Sequence, residues 1–359
     1  MRASVPVSTA LEPEALVEHF LRHPPAGFSA ERSPSGMPTF VTPFDLLTTA
    51  DEPLRKRIAA LPLYRMWGPL LRWRTRFAGC TVTEYAPLPS TVAPSTLADE
   101  LLAVYGRECA LFIVKDLPDA SPLLDEAANV HAAAFAEALV ARGFVLLDGM
   151  DLAWVPLDFT SIDDYLGRLS AGRRKNIRRK LRSRALLDVE ELPAGSEVFA
   201  CESLLDECYS LYRNVHAQSE VRFDFLDRAF FASVLRDKES DGVVFLYRAD
   251  GQLIGWNLCY AFGGMLVDKY IGFAYPEARD HNLYAVSWMH NLEYARQRGF
   301  SHFVAGWTDP EVKRQLGARL SRTRHAVYLR HPWLRAAFRR IAHRFEAPPV
   351  SDGEQGVSR

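Results

Sequence analysis

The stretch VVFLYRADGQLIGWNLCYAFGGMLVDKYIGF, from Val243 to Phe273, holds three apolar runs and two turns. Val243–Arg248 reads as a strand, and Ala249-Asp250-Gly251 supplies the residue types of a tight hairpin. Leu253–Phe262 is the return strand. Gly263-Gly264 turns the chain again, and Met265–Phe273 is a third strand. Runs this short, bounded by glycine, are strands rather than helices. A loop, Ala274–His281, then leads into a helix predicted over Asn282–Arg298, which Gly299 ends. A strand at Phe300–Gly306, a short helix at Asp309–Leu316 and a strand at His325–Leu329 follow.

Working back from the meander, Asp227–Asp237 and Glu202–His216 read as helices and Val189–Leu192 as a strand. A strongly basic helix covers Arg173–Arg184, after an interruption at Gly172. Thr160 is placed to cap a helix over Ile162–Leu169, whose first turn carries Asp163 and Asp164. The first half alternates more loosely. A loose leader of about ten residues precedes a helix at Leu11–Arg22. Strand-like runs fall at Thr39–Thr42 and Thr81–Tyr85, around an aromatic and basic run at Leu63–Phe77. Ser95–Tyr105 and Glu126–Arg142 are helices. Ala110–Val114, Phe144–Leu147 and Leu152–Pro156 are strands. This alternation predicts an α/β protein with two lobes: residues 1–155, residues 156–345, and a polar, disordered tail at 346–359.

The 359 residues suit two domains of ordinary size. A net charge of -1 announces no polyanionic partner for the molecule as a whole, so attraction to an anion must be local. No signal peptide is visible, and no run reaches the ~20 apolar residues that a spanning helix needs. The five cysteines are scattered and include no CxxC pair, so they read as reduced core thiols. The cytoplasm is the expected compartment. No HExxH, P-loop or GxSxG occurs, so neither a metal nor serine hydrolase chemistry is expected.

The order β-β-β-loop-α-β-α-β resembles the core of the GNAT acyltransferases. Two stretches sharpen the resemblance toward the Fem-like and BioF2-like branch. One runs from Tyr165-Leu166-Gly167-Arg168-Leu169-Ser170 through Arg173-Arg174-Lys175-Asn176-Ile177-Arg178-Arg179. The other is Lys269-Tyr270-Ile271-Gly272-Phe273, then Asn282-Leu283-Tyr284, Trp288, Ala295 and Gly299. The resemblance spans roughly residues 160–330. It implies a GNAT-type mixed sheet flanked by helices, with two GNAT-like lobes in tandem, the first degenerate. It also implies transfer of an acyl or aminoacyl group to an amine, as in peptidoglycan cross-bridge building. The donor is then an aminoacyl-tRNA or an acyl-coenzyme A, with no tightly bound cofactor. Coenzyme A users carry a glycine-rich loop for the pyrophosphate. Here the loop is Glu277-Ala278-Arg279-Asp280-His281-Asn282, without glycine, which points to aminoacyl-tRNA.

Amide formation needs a proton acceptor for the amine and donors for the tetrahedral oxyanion. Asp268, on the strand before the loop, is the expected base; the competing reading is a solvent-facing or salt-bridged carboxylate. Tyr270, two residues on, shares its sheet face, and is an acid, an orienting group or a core aromatic. Lys269 faces the other way and reads as structural. Arg279 and His281 precede a helix N-terminus where Asn282 is the expected cap, with Tyr284 beside it. His216 is placed to wall the acceptor pocket, and His290 carries little weight. Nine of the 17 residues from Arg168 to Arg184 are basic and none is acidic, a density that invites a phosphate-bearing partner such as a tRNA. The family pattern brings Arg174 and Arg178 into that contact.

The alternatives are an acetyl- or acyl-coenzyme A-dependent N-acyltransferase and a non-catalytic nucleic-acid-binding module using the basic helix. The acceptor is an unspecified amine. The sequence does not fix the oligomeric state; a monomer is allowed, because two lobes can bury each other's faces.

Overall fold

The computed structural model describes residues 6–47, 52–219 and 223–341; the tail expected at 346–359 lies outside them. The strands are β1 (Ser29–Arg32), β2 (Pro38–Asp45), β3 (Arg72–Ala78), β4 (Leu111–Pro118), β5 (Val145–Asp148), β6 (Leu152–Pro156) and β7 (Asp188–Pro193). They continue as β8 (Gly242–Ala249), β9 (Gln252–Phe262), β10 (Met265–Phe273), β11 (His302–Gly306), β12 (Arg319–Ser321) and β13 (Thr323–Leu329).

Two mixed sheets result, each flanked by helices. The first runs β1-β2-β3-β4-β13-β5 and the second β12-β6-β11-β10-β9-β8-β7. Each contains one parallel pair closed by a crossover helix. In the first sheet β3 and β4 pair in parallel across the helix Pro94–Tyr105. In the second, β10 and β11 do so across the helix Leu283–Gln297.

The sheets exchange strands, and this corrects the expected division of the chain. Leu152–Pro156, expected in the first lobe, is β6 and lies between β11 and β12 of the second sheet. The last strand, expected in the second lobe, is β13 and lies between β4 and β5 of the first. The physical reason is that an apolar strand takes whichever open edge its connection reaches. Arg322 alone is too short to turn the chain back beside β12, while Gly149-Met150-Asp151, long enough for a hairpin, instead passes the chain across to the second sheet. The two crossings are bonded to each other: Gly149 N–H donates to Thr323 O at 2.8 Å, and the Thr323 hydroxyl donates to Met150 O at 2.6 Å.

Other expectations shift locally. Thr81–Tyr85 is no strand; the strand is β3, whose Thr75 and Phe77 face inward while Arg72 and Arg74 face out. Arg76 is buried there between Glu31 and Glu108. The supposed leader is packed from Ser8, whose N–H donates to Leu88 O, and Thr9 and Leu11 are buried. The helix Ile162–Gly167 is capped by Ser161 rather than Thr160: the Ser161 hydroxyl accepts from Asp164 N–H at 3.1 Å. Of the cysteines, Cys201 is exposed and the other four are buried. One core joins the lobes, with Phe40 and Phe77 of the first sheet packed in the same cluster as Leu246, Leu258 and Tyr260 of the second. No helix among the described residues is long and apolar enough to cross a membrane.

The crossing yields a direct test. A Cβ at Gly149 would lie 2.3 Å from the Thr323 hydroxyl oxygen. Gly149→Ala is expected to destabilise the protein by about 1–3 kcal/mol, read as a lower urea midpoint with unchanged slope. A wild-type midpoint would mean that the crossing is not tightly packed.

Candidate active site in the strand fork

β10 and β11 run together for only three pairs, Met265↔His302, Leu266↔Phe303 and Val267↔Val304. Beyond these β10 continues to Phe273 bonded to β9 alone. Each strand is irregular where they part: β10 is bulged at Lys269 and β11 at Ala305. Bulges bend a strand and sharpen its twist, so the pair opens as a fork. At Gly306 the backbone is left-handed (φ 77°), and a Cβ there would lie 3.8 Å from Lys313 Nζ and 3.9 Å from Glu84 Oε1. The mouth of the fork is therefore lined by charge.

Lys269 is buried, and its Nζ donates to Glu12 Oε1 at 3.0 Å and Glu84 Oε1 at 2.5 Å. Glu12 also accepts from Glu84 N–H at 2.8 Å. Burial raises the Glu12 carboxyl to about 7, against the pull of Lys269, while the two glutamates hold Lys269 above the ordinary lysine range against its own burial. Lys313, on the helix Pro310–Leu316, is buried and donates to Ala305 O at 2.5 Å. Burial lowers it to about 8, with Glu84 and Asp268 opposing. Three carboxylates thus meet two ammonium groups. Among the described residues Glu12 Oε2, Glu84 Oε2 and Trp307 Nε1 are buried without a hydrogen-bond partner. A cluster with this charge balance and a carboxyl near 7 holds or releases a proton near neutral pH.

Asp268 stands at the same vertex. Its Oδ1 accepts from Asn257 Nδ2 at 3.4 Å and Cys259 Sγ at 3.6 Å, and its Oδ2 from Asn291 Nδ2 at 3.3 Å. Burial raises it to about 6, with Lys313 pulling the other way. Tyr284 is half-buried; desolvation raises its hydroxyl above the ordinary tyrosine range, and the charges of Asp309 and Asp268 add to this.

Tyr270 does not share this face. The bulge leaves Lys269 unpaired, so Asp268 opposes Cys259 while Tyr270 opposes the adjacent Leu258. One inserted residue reverses the alternation. Tyr270 therefore packs edge-on against Phe230 and Phe231 on the opposite side of the sheet, at 5.6 and 5.3 Å. Lys269, expected to be structural, is the centre of the buried ion cluster.

Asn282 is not a side-chain cap. It is left-handed (φ 52°), and its Nδ2 donates to Ser183 Oγ at 3.2 Å, tying the start of its helix to the end of the basic segment. Arg279 donates to Gln218 Oε1 at 2.6 Å and covers the Tyr275 ring. His216, two residues before Gln218, sits with its Nε2 3.2 Å from Asp224 O. His290 packs edge-on to Phe245, and burial lowers it to about 4.

The basic helix is Ala171–Leu181, with Ile177 as its buried anchor. Arg178 donates to Asp163 Oδ1 at 2.9 Å, and Arg174 to Gly167 O at 3.4 Å. Of the nine basic side chains from Arg168 to Arg184, Arg168 and Arg178 alone form ion pairs among the described residues. Glu12, Glu84 and Lys313 escaped the sequence reading. Lys313 had one visible signal: it occupies an apolar-face position, three residues before buried Leu316.

A family model described as FemAB-like, peptidoglycan biosynthesis/recognition, matches residues 125–348. No curated protein is significantly similar. The C-terminal domain of a putative lysylphosphatidylglycerol synthetase from Agrobacterium fabrum is similar in structure, with TM-score 0.54, 12% identity, 90% of this chain and 93% of that chain. FemX is similar with TM-score 0.52, 13% identity, 94% of this chain and 96% of that chain. L-PGS from Bacillus licheniformis is similar with TM-score 0.51, 10% identity, 94% of this chain and 99% of that chain. At these identities the likeness is one of fold.

The buried carboxyl gives a pH-dependent test. Asp268 has a folded value of about 6 against an ordinary 3.8. The folded state keeps this proton while the unfolded chain releases it, so its contribution is full below about pH 4 and is lost as pH rises through 6. Relative to wild type, Asp268→Asn should therefore gain about 3 kcal/mol of stability between about pH 4 and 7. His290, lowered to about 4, acts in the opposite sense over much of this window, but equally in both proteins. Urea unfolding across this range checks it; a constant difference would mean that Asp268 titrates normally.

Proposed function

This chain belongs to the FemAB-like family, and from that premise we propose that it transfers an aminoacyl group from aminoacyl-tRNA to an amine inside the fork. The observation that carries the reading is the buried ion cluster at the vertex, where β10 and β11 part. The acceptor enters as an ammonium and gives its proton to the cluster. Asp268, raised to about 6, is the assigned acceptor of that proton. The amine nitrogen then attacks the ester carbonyl carbon. Lys313, whose positive charge stands beside Asp268, stabilises the oxyanion. The C–N bond forms and the ester C–O bond breaks; the proton held by Asp268 passes to the departing tRNA hydroxyl, and the second proton of the attacking nitrogen replaces it on Asp268 and leaves to solvent.

Two further features support a tRNA donor. The loop before the helix Leu283–Gln297 lacks the glycines that bring backbone N–H groups to a pyrophosphate. The basic helix displays cations without ion pairs among the described residues, Arg174 one of them, beside Arg178, which pairs with Asp163, and Asn282 is tied to the end of the basic segment. Dense like charge of this kind is offset by a polyanion. Arg279, Tyr284 and His216 are assigned to the walls of the substrate site.

Purified protein should retain a labelled charged-tRNA pool saturably on filters, with affinity falling steeply with salt, and should not retain labelled acetyl-coenzyme A. Asp268→Asn should lower turnover by about 100-fold or more and remove the rise in rate near pH 6. Saturable coenzyme A binding with acetyl transfer would replace the proposed donor. Saturable tRNA binding with no transfer to any amine would favour the non-catalytic reading.

A further inference from the structure

Four large apolar side chains stand in water within one short stretch: Leu61 (50% exposed), Leu63 (69%), Met66 (75%) and Leu70 (73%). Single exposed apolar residues are ordinary, but a contiguous group is not. This group lies in the helix Tyr64–Trp67 and its flanks, just before β3. Trp67 is half-buried beside them, edge-on to Tyr64 at 5.1 Å, and Arg65 is exposed.

A second segment joins them from the far end of the chain. The helix Pro332–Ile341 follows β13. Its Leu334 and Phe338 are half-buried, while Trp333 is 69% exposed and Arg339 and Arg340 stand in solvent. The sheet register brings the two segments together. Thr75 of β3 pairs with Leu111 of β4, and Leu329 of β13 pairs with that same Leu111. The chain before Arg72 and the chain after Leu329 therefore leave the first sheet at one end. That end is rich in exposed arginine, with Asp45 and Glu108 there paired to Arg72, Arg74 and Arg76. The sequence contains no aspartate or glutamate from Pro53 to Thr83, and none from Val312 to Phe345. The exposed arginines, Arg65, Arg107, Arg330, Arg339 and Arg340 among them, outnumber Asp45 and Glu108, an excess that the molecule's charge of -1 conceals.

We propose that this end of the first sheet is a docking surface for an anionic lipid bilayer. Leu63, Met66, Leu70 and Trp333 enter the headgroup region, and Arg65, Arg339 and Arg340 meet lipid phosphates. Apolar side chains and tryptophan interleaved with basic residues are what an interfacial segment needs. The inference does not rest on the reading of the fork.

The test is co-sedimentation of the full chain with vesicles of phosphatidylcholine alone and with vesicles of equimolar phosphatidylcholine and phosphatidylglycerol. Binding is expected to the second only, and to weaken with salt. Leu63→Asp with Met66→Asp should lower partitioning about tenfold or more. Val130→Asp, another exposed apolar position (62%), should leave partitioning unchanged. Both variants alter exposed positions, so melting temperatures should match wild type. Equal sedimentation with both vesicles, or unchanged partitioning of the double variant, would overturn the proposal. So would a dimer in solution that the double variant dissolves, which would give the surface to a second copy of the chain.

Discussion

A buried ammonium must be matched in place by carboxylates, because an unpaired charge is intolerable in a medium that cannot solvate it. Lys269 imposes that condition here. Its partners, Glu12 and Glu84, come from the first turns of the chain and from an irregular segment after β3. The central strand of the second sheet is thus tied to parts of the first lobe that have no strand pairing with it. The bulge that sends Lys269 toward them also stops β10 from following β11, so the neutralisation of one charge and the opening of the fork are one structural event. The same bulge leaves Asp268 on the face of Asn257 and Asn291 and sends Tyr270 to the other.

The parts of the fold that were readable are those decided locally. Asp250-Gly251 and Gly263-Gly264 set two hairpins, and the apolar runs between them had one arrangement open to them. Gly299 closes the long helix because a left-handed residue ends the i→i−4 ladder. β3 was hidden because alternating arginines read as a basic run, although Trp73, Thr75 and Phe77 carry the two-residue period of a strand. The strand exchange was illegible for a different reason. β6 and β13 are apolar enough for either sheet, and their choice depends on edges supplied by residues more than a hundred positions away.

The candidate site divides in the same way. Asp268 was visible as a carboxylate at the end of a central strand. Glu12, Glu84 and Lys313 were not, since charged residues in amphipathic segments are normally solvated and only tertiary packing reveals burial. Tyr270 fell to the wrong face because one bulged residue is invisible to a period-two reading. The basic helix was readable from composition but not in its bounds: it begins at Ala171 on the Ser170 cap with Gly172 inside it, and ends at Leu181 in a 3-10 turn, Arg182–Leu186, rather than running from Arg173 to Arg184.

The exchange of β6 and β13 also sets a timetable. The first sheet lacks the strand between β4 and β5 until Leu329 has been synthesised, long after Asp148. At bacterial or eukaryotic elongation speeds that interval is roughly 10–40 s. During it β4 presents an open, apolar edge, the kind of surface that chaperones cover and that neighbouring nascent chains can pair with. The topology that welds the two lobes into one unit thereby makes the nascent first half dependent on protection until the last strand arrives.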